Sequence, residues 1–137
     1  MLMMSYQAPH YPEQPATEYA EKYRGREIIR RPNCQEIDPF TPTYSPRSPR
    51  PIEGDPDFQR YGNDLDEYIR LYNAMCTQID ANVGRLVNTL ERLGVADSTM
   101  IVFTSDHGEW LGEHLRYGKG YPGHDCISRV PMLVRWP

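Results

Sequence analysis

Asp106 and His107 stand side by side, directly before Gly108. An adjacent carboxylate and imidazole can offer an oxygen and a nitrogen to one point, which suits a divalent cation. The plainer reading is an aspartate capping a turn with a histidine exposed beside it. Context favours the chemistry, because Glu109, Glu113, His114 and Lys119 follow on a glycine-rich stretch. Lys119 lies between Gly118 and Gly120, where little side-chain bulk would keep its ammonium from an anion. Beside a metal, such a lysine can neutralise charge on a transferring sulfuryl or phosphoryl group. A loop lysine without that company is simply solvated. Cys34, Cys76 and Cys126 are far apart and form no Cys-x-x-Cys pair, so neither a disulfide framework nor a zinc ribbon is indicated.

These residues need elements to hold them. Leu65, Tyr68, Ile69, Tyr72, Met75, Cys76, Ile79, Val83, Leu86, Val87, Leu90 and Leu93 recur at spacings of three and four. That is the stripe of a long amphipathic helix, predicted at about 64–93. Asn63 or Asp64 can cap its start, Asp66 and Glu67 complement the dipole in its first turn, and Gly94 supplies a left-handed stop. Tyr72 and Met75 read as core packing. The run Thr99–Thr104 is β-branched and apolar without alternation, which predicts a strand at about 99–105 buried on both faces. Five glycines from Gly108 to Gly123 mark a loop, with Gly108 letting the backbone turn. A second strand is predicted at about 130–136, with Pro131 at its first position or edge. Helix, strand, polar loop and strand make an α/β class. In open α/β sheets ligands collect beyond the carboxyl ends of strands, where Asp106 and His107 stand.

The chain divides at about residue 62. Ten of its thirteen prolines fall between Pro9 and Pro56, which disfavours regular helix or central strand. Residues 32–60 are expected to be a long proline-rich surface loop wrapped on a body, and the run Ser45–Arg50 a solvated part of it. With 137 residues, 39% hydrophobic and a mean hydropathy of −0.70, the chain is polar but can build a modest core. A formal charge of −4 argues against nucleic acid as a partner. Met100–Phe103, the longest clean apolar run, is far too short for a membrane span. The start, Met1–Tyr6, has neither a basic region nor a long apolar segment and does not read as a signal peptide.

In order along the chain, Ser105–His114, then Gly118–Lys119–Gly120, then Arg129–Pro137 closely resemble the later block of the sulfatase family, within the alkaline phosphatase superfamily. Ile79–Leu86 resembles the helix before that block, and Ala8–Pro12 the family's Pro-His-x-Pro turn. The resemblance covers about residues 5–137. It implies that part of an alkaline-phosphatase-like sheet flanked by helices is present, within a catalytic domain of which this chain is an internal piece. Its loop-rich segment would be 1–62, carrying His10, and its helix–strand–metal loop–strand segment 63–137. By the same resemblance Asp106 and His107 would be metal ligands, with calcium ahead of manganese or zinc. Lys119 would contact the sulfate, and His10 would touch the same anion and donate a proton to the leaving oxygen. Glu113 and His114 would support the ligands from behind.

Family members also carry a Cys- or Ser-x-Pro-x-Arg motif whose first residue becomes formylglycine, the nucleophile. None of the three cysteines here begins such a motif, and Ser45–Pro46–Arg47 has its proline one place early. The nucleophile and an Asp-Asp ligand pair are therefore expected in an N-terminal part lying before Met1, and this chain alone is expected to be inactive. The implied function is metal-dependent hydrolysis of sulfate esters of sugars or small molecules. The alternatives are a phosphonate monoester or phosphodiester hydrolase of the same superfamily, and a non-catalytic binding remnant. The resemblance admits both exported and cytoplasmic members, which leaves location open.

Overall fold

The structure is a computed structural model, and it describes residues 1–35, 64–120 and 123–137. Most of the proline-rich loop expected at 32–60 lies outside the described residues. In chain order the elements are α1 (Thr17–Tyr23), α2 (Leu65–Arg92), β1 (Ile101–Thr104), α3 (Asp125–Ser128) and β2 (Met132–Arg135), with 3-10 turns at Pro32–Gln35, Ala96–Ser98 and Glu113–Leu115. They belong to two compact units. One comprises Met1–Ile28, Asp66–Met100 and Trp136–Pro137, and the other Ile29–Leu65 and Ile101–Arg135.

The first unit is built on α2. Its bounds fall within one residue of the predicted 64–93, and Asp66 and Glu67 occupy its first turn. Gly94 closes it at φ +69°, with its N–H donating to the Glu91 carbonyl (2.9 Å) and the Val95 N–H to that of Leu90 (3.1 Å). Two such bonds satisfy carbonyls that the helix end would otherwise orphan, and the positive φ is why glycine stands there. Tyr68, Ala74 and Met75 are buried. Cys76, counted in the apolar stripe, is exposed. Each residue turns the helix by about 100°; burial spreads over Ala74 and Met75, and Cys76, one step further round, leaves it.

Helix α1 has no buried residue and is tied to α2 through polar groups instead. The Ala16 N–H donates to Gln78 Oε1 (3.0 Å), the Tyr23 and Thr77 hydroxyls meet at 2.7 Å, and Arg70 Nε donates to the Arg26 carbonyl (2.8 Å). Among the described residues no helix is long and apolar enough to cross a membrane.

The second unit contains the strands. They pair antiparallel, with Ile101 opposite Arg135, Val102 opposite Val134, Phe103 opposite Leu133 and Thr104 opposite Met132. The expectation that the first strand is buried on both faces is corrected here. Ile101 and Phe103 are half-buried while Val102 and Thr104 are exposed, and every residue of β2 is exposed. Successive side chains on a strand point to opposite faces, and in this two-stranded ribbon only one face of β1 is covered. Pro131 sits just before β2, and its carbonyl accepts from the Thr104 hydroxyl at 3.0 Å.

Burial along α2 sets its energetic ranking. Met75→Ala should destabilise the protein by about 2–5 kcal/mol, as buried Met-to-Ala truncations do. Leu93→Ala, at a position 65% exposed, should fall within about 0.5 kcal/mol of the parent. Denaturant unfolding of the two variants checks the order, and equal losses would refute it.

Candidate active site

Strand β1 delivers Ser105, Asp106 and His107 at its carboxyl end, and local hydrogen bonds fix the turn. Ser105 Oγ donates to the His107 carbonyl (2.9 Å), and the His107 N–H donates to Asp106 Oδ1 (2.9 Å). That backbone bond, ahead of the nearby His107 charge, holds the Asp106 carboxyl below its usual range. The group is therefore ionised and, being exposed, accessible. His107 Nδ1 lies 2.8 Å from the Gly108 carbonyl. A carbonyl can only accept, so Nδ1 carries a proton and Nε2 is the ring nitrogen left facing outward. Nε2 stands 3.5 Å from Asp106 Oδ2. A carboxylate oxygen and an imidazole nitrogen are thus presented side by side, with the second ring nitrogen anchored as in metal-ligating histidines. These residues fit a divalent cation as a partial ligand set. Among the described residues no group of three or more His, Cys, Asp or Glu side chains is placed to hold a metal.

Gly108 has a different role from a simple turn residue. It is absent from the left-handed region; its N–H donates to the Ile127 carbonyl at 2.7 Å. A Cβ built on it would lie 1.9 Å from the Cys126 carbonyl oxygen. Only glycine lets the segment after Asp106–His107 press against the backbone of α3.

The stretch from Trp110 to Gly118 closes on itself. The Trp110 N–H donates to the Gly118 carbonyl (3.0 Å), Gly112 N–H to that of Arg116 (2.9 Å), Glu113 N–H to that of Trp110 (2.9 Å), and Arg116 N–H to that of Glu113 (3.0 Å). Trp110, 2% exposed, fills the knot. The Arg116 guanidinium lies 5.0 Å from its ring centre, and the His124 and His114 rings approach at 5.3 and 6.4 Å. Leu111 and His114 adopt positive φ values of 48° and 52°, a backbone cost of about 1–3 kcal/mol each that the closed loop must offset. Lys119 follows the last tied residue and is exposed. Gly118 and Gly120 flank it at φ 72° and 117°.

Glu113 and His114 do not support His107 by hydrogen bonding, since His107 Nδ1 is on the Gly108 carbonyl. Glu113 instead pairs with Arg31 and accepts from Asn33 Nδ2 (2.9 Å), which also reaches His114 Nε2 at 3.5 Å. Arg31, Asn33 and Trp110 were not singled out from the sequence. Trp110 had a signal, a large aromatic inside a glycine-rich loop, whereas Arg31 and Asn33 lie some 80 positions away from their partner.

The structure places Asp106, His107 and Lys119 in the second unit and His10 in the first. His10 is exposed, between cis peptide bonds at Ala8–Pro9 and Tyr11–Pro12. Its N–H donates to the Gln7 carbonyl (2.9 Å) and its Nδ1 to that of Tyr11 (2.8 Å), which leaves Nε2 as its outward atom.

The sulfatase profile matches residues 1–137. The chain belongs to the sulfatase family. It is 33% identical to human iduronate 2-sulfatase over 145 residues, which takes in 99% of this chain and 26% of that protein. A 71-residue stretch, 52% of this chain and 12% of the relative, is 44% identical to an N-acetylglucosamine-6-O-sulfatase of Bacteroides thetaiotaomicron. Among solved structures, the sulfatase-type protein yidJ of Bacteroides fragilis superposes with a TM-score of 0.62 at 30% identity, over 95% of this chain and 24% of that one. The chain thus spans about a quarter or less of the length of these relatives, and the likeness supports an α/β fold for this sulfatase segment.

Two outcomes follow from the site's packing. Gly108→Ala should destabilise by at least about 1–3 kcal/mol through backbone overlap. Gly84→Ala, in α2 with open space around its would-be Cβ, should stabilise by about 0.4–1 kcal/mol; melting temperatures that move together would refute the contrast. Cys126 gives the second outcome. Burial, then the Glu113 and Glu109 charges with Arg31 opposing, push its thiol up to about 12. It should stay a neutral thiol through pH 8 and resist iodoacetamide in the folded protein. Burial of its surroundings raises the Cys76 thiol too, but Cys76 is the more exposed of the two and should be alkylated before Cys126, as mass spectrometry of the labelled peptides will read. Because the folded-state value is raised, this thiol favours the folded form below the ordinary thiol range near 8.5, and that contribution fades as pH rises towards 12.

Proposed function

We propose that this sulfatase segment supplies part of the divalent-metal site and the anion contacts for hydrolysis of sulfate esters, in an alkaline-phosphatase-like sheet larger than the ribbon described. The observation that carries the reading is the convergence of Asp106 Oδ2 and His107 Nε2 at 3.5 Å, with the other imidazole nitrogen tied to a backbone carbonyl. The relatives' names support sulfated sugars as the substrate class.

Asp106 and His107 would hold the metal. Calcium prefers six to eight oxygen ligands, so the pair is part of a set, and its nitrogen also suits manganese or zinc. When bound, the cation supplies positive charge next to the sulfate oxygens. Lys119 adds a second positive charge from a flexible glycine-flanked position, which stabilises charge developing on the sulfuryl oxygens and the departing oxygen. His10 is the proton donor in this reading. With Nδ1–H held on the Tyr11 carbonyl, the imidazolium presents Nε2–H outward, and that proton can pass to the leaving oxygen. The 137 residues contain no Cys- or Ser-x-Pro-x-Arg motif, so the proposed task of this segment is to bind and protonate, while a formylglycine nucleophile belongs to other residues.

Hydrolysis of an aryl sulfate and of sulfated glucosamine by the catalytic domain that joins this segment to the nucleophile-bearing residues tests the reading. Lys119→Ala should lower kcat by about 10²–10³, the cost of removing one oxyanion donor. Asp106→Ala should weaken metal binding by more than the ~10–100-fold that loss of an outer partner costs, with activity partly restored by excess metal. Turnover that survives chelation and tolerates Lys119→Ala would overturn the proposal. Faster turnover of phosphonate monoesters or phosphodiesters would move the substrate class.

A further inference from the structure

Glu113 is a buried, doubly hydrogen-bonded carboxylate of the second unit that the proposed chemistry does not use. It is only 8% exposed. Its two oxygens are divided between Arg31 and Asn33, on either side of Pro32 in the 3-10 turn Pro32–Gln35. Its main chain belongs to the other partner, the knot that runs from Trp110 to Gly118. Cys34 adds a weaker tie between the same two segments, with its thiol 3.9 Å from the Leu111 carbonyl. The knot alone fixes its own internal shape. This cross-link ties the knot to a turn some 80 positions away in the chain.

Lys119 is the first residue past the knot's last hydrogen bond and is flanked by two glycines in the left-handed region. A side chain on so permissive a backbone is located by the nearest fixed point, Gly118, and Gly118 is fixed through Trp110 and Glu113. A misplacement of about 1 Å at a charged contact can cost about 10²-fold in rate. We propose that Glu113 is a positioning residue for Lys119: by clamping Arg31 and Asn33 it anchors the loop from which Lys119 reaches the substrate's anionic group. The inference rests on the assignment of Lys119 to the anion. It gives the carboxylate a different role from support of the metal ligands.

A thermodynamic cycle decides it on the catalytic domain in which this segment is joined to the nucleophile-bearing residues, with kcat and KM measured for sulfate ester hydrolysis by the parent, Glu113→Ala, Arg31→Ala, Lys119→Ala, and each of the first two combined with Lys119→Ala. Arg31 is 67% exposed, so its variant breaks the clamp from the solvent side without emptying a buried site. Glu113→Ala and Arg31→Ala should each lower kcat/KM by about 10–100-fold, with the same division between kcat and KM as Lys119→Ala. In the Lys119→Ala background both losses should vanish, since residues acting as a unit are not additive. Glu113→Gln keeps an acceptor for Asn33 and should recover part of the loss. Additive losses, or parent-like activity in both clamp variants, would overturn the inference while leaving the role of Lys119 standing. A silent Lys119→Ala would bring down the functional reading first, and this inference with it.

Discussion

The second unit depends on one close approach of backbone to backbone. Gly108 donates to the Ile127 carbonyl at 2.7 Å and passes so near the Cys126 carbonyl that no side chain fits. This contact joins the residue that follows Asp106–His107 to α3, the short helix that leads into β2. The strand pairing joins the same two segments from the other side, through the register of Thr104 with Met132. The Asp–His pair is therefore held between a ladder and a backbone clamp, on a loop that would otherwise carry little more than its own turn. Because a main-chain hydrogen bond at this distance needs both partners in place, the position of the pair is inherited from the fold rather than from the side chains themselves.

A second layer of constraint lies in the polar groups around Trp110. Burying Glu113 would be unfavourable without partners, and the structure provides them from a distant turn, so the carboxylate acts as a cross-link between segments some 80 positions apart. Burial, with the same carboxylate adding to it, raises the nearby Cys126 thiol, which keeps that sulfur neutral and less reactive. One buried charge thus ties a loop to a distant turn and adds to the burial that quiets a cysteine. The left-handed residues Leu111 and His114 are tolerated within this frame, where four main-chain bonds and an aromatic core over-determine the path.

Helix α2 and the place of Asp106–His107 at the end of a strand were legible in the sequence for different reasons. The helix was visible because a 3.6-residue period sustained over 28 residues leaves few alternatives, and Gly94 marked its end by a conformation that glycine alone adopts cheaply. The face it buries was less legible: Ala74 lies within the core and Cys76 outside it, since a moment locates a stripe but not the neighbour that covers it. The strand Ile101–Thr104 was found, yet its two-sided burial was not, because an unbroken apolar run states what a strand can bury and not what is there to bury it. The Asp–His pair and Lys119 stood out by type and spacing. Their supports did not, because Arg31 and Asn33 are ordinary loop residues until the fold sets them against Glu113.

His10 shows where local structure stops determining chemistry. Its turn fixes the ring, with Nδ1 held and Nε2 outward, which is what a proton donor needs at its own end. The Asp106–His107 turn does the same for a metal ligand, with the same device, an imidazole Nδ1–H on a neighbouring carbonyl. One geometry therefore suits either proposed task, and the two rings differ in the company each keeps. His107 has an ionised carboxylate 3.5 Å from its free nitrogen, which favours a cation there. His10 is exposed in its own turn, with Nδ1 on the Tyr11 carbonyl and Nε2 outward. The proposed roles of acid for one histidine and ligand for the other come from the family resemblance, and both turns leave Nε2 as the outward atom that either role needs.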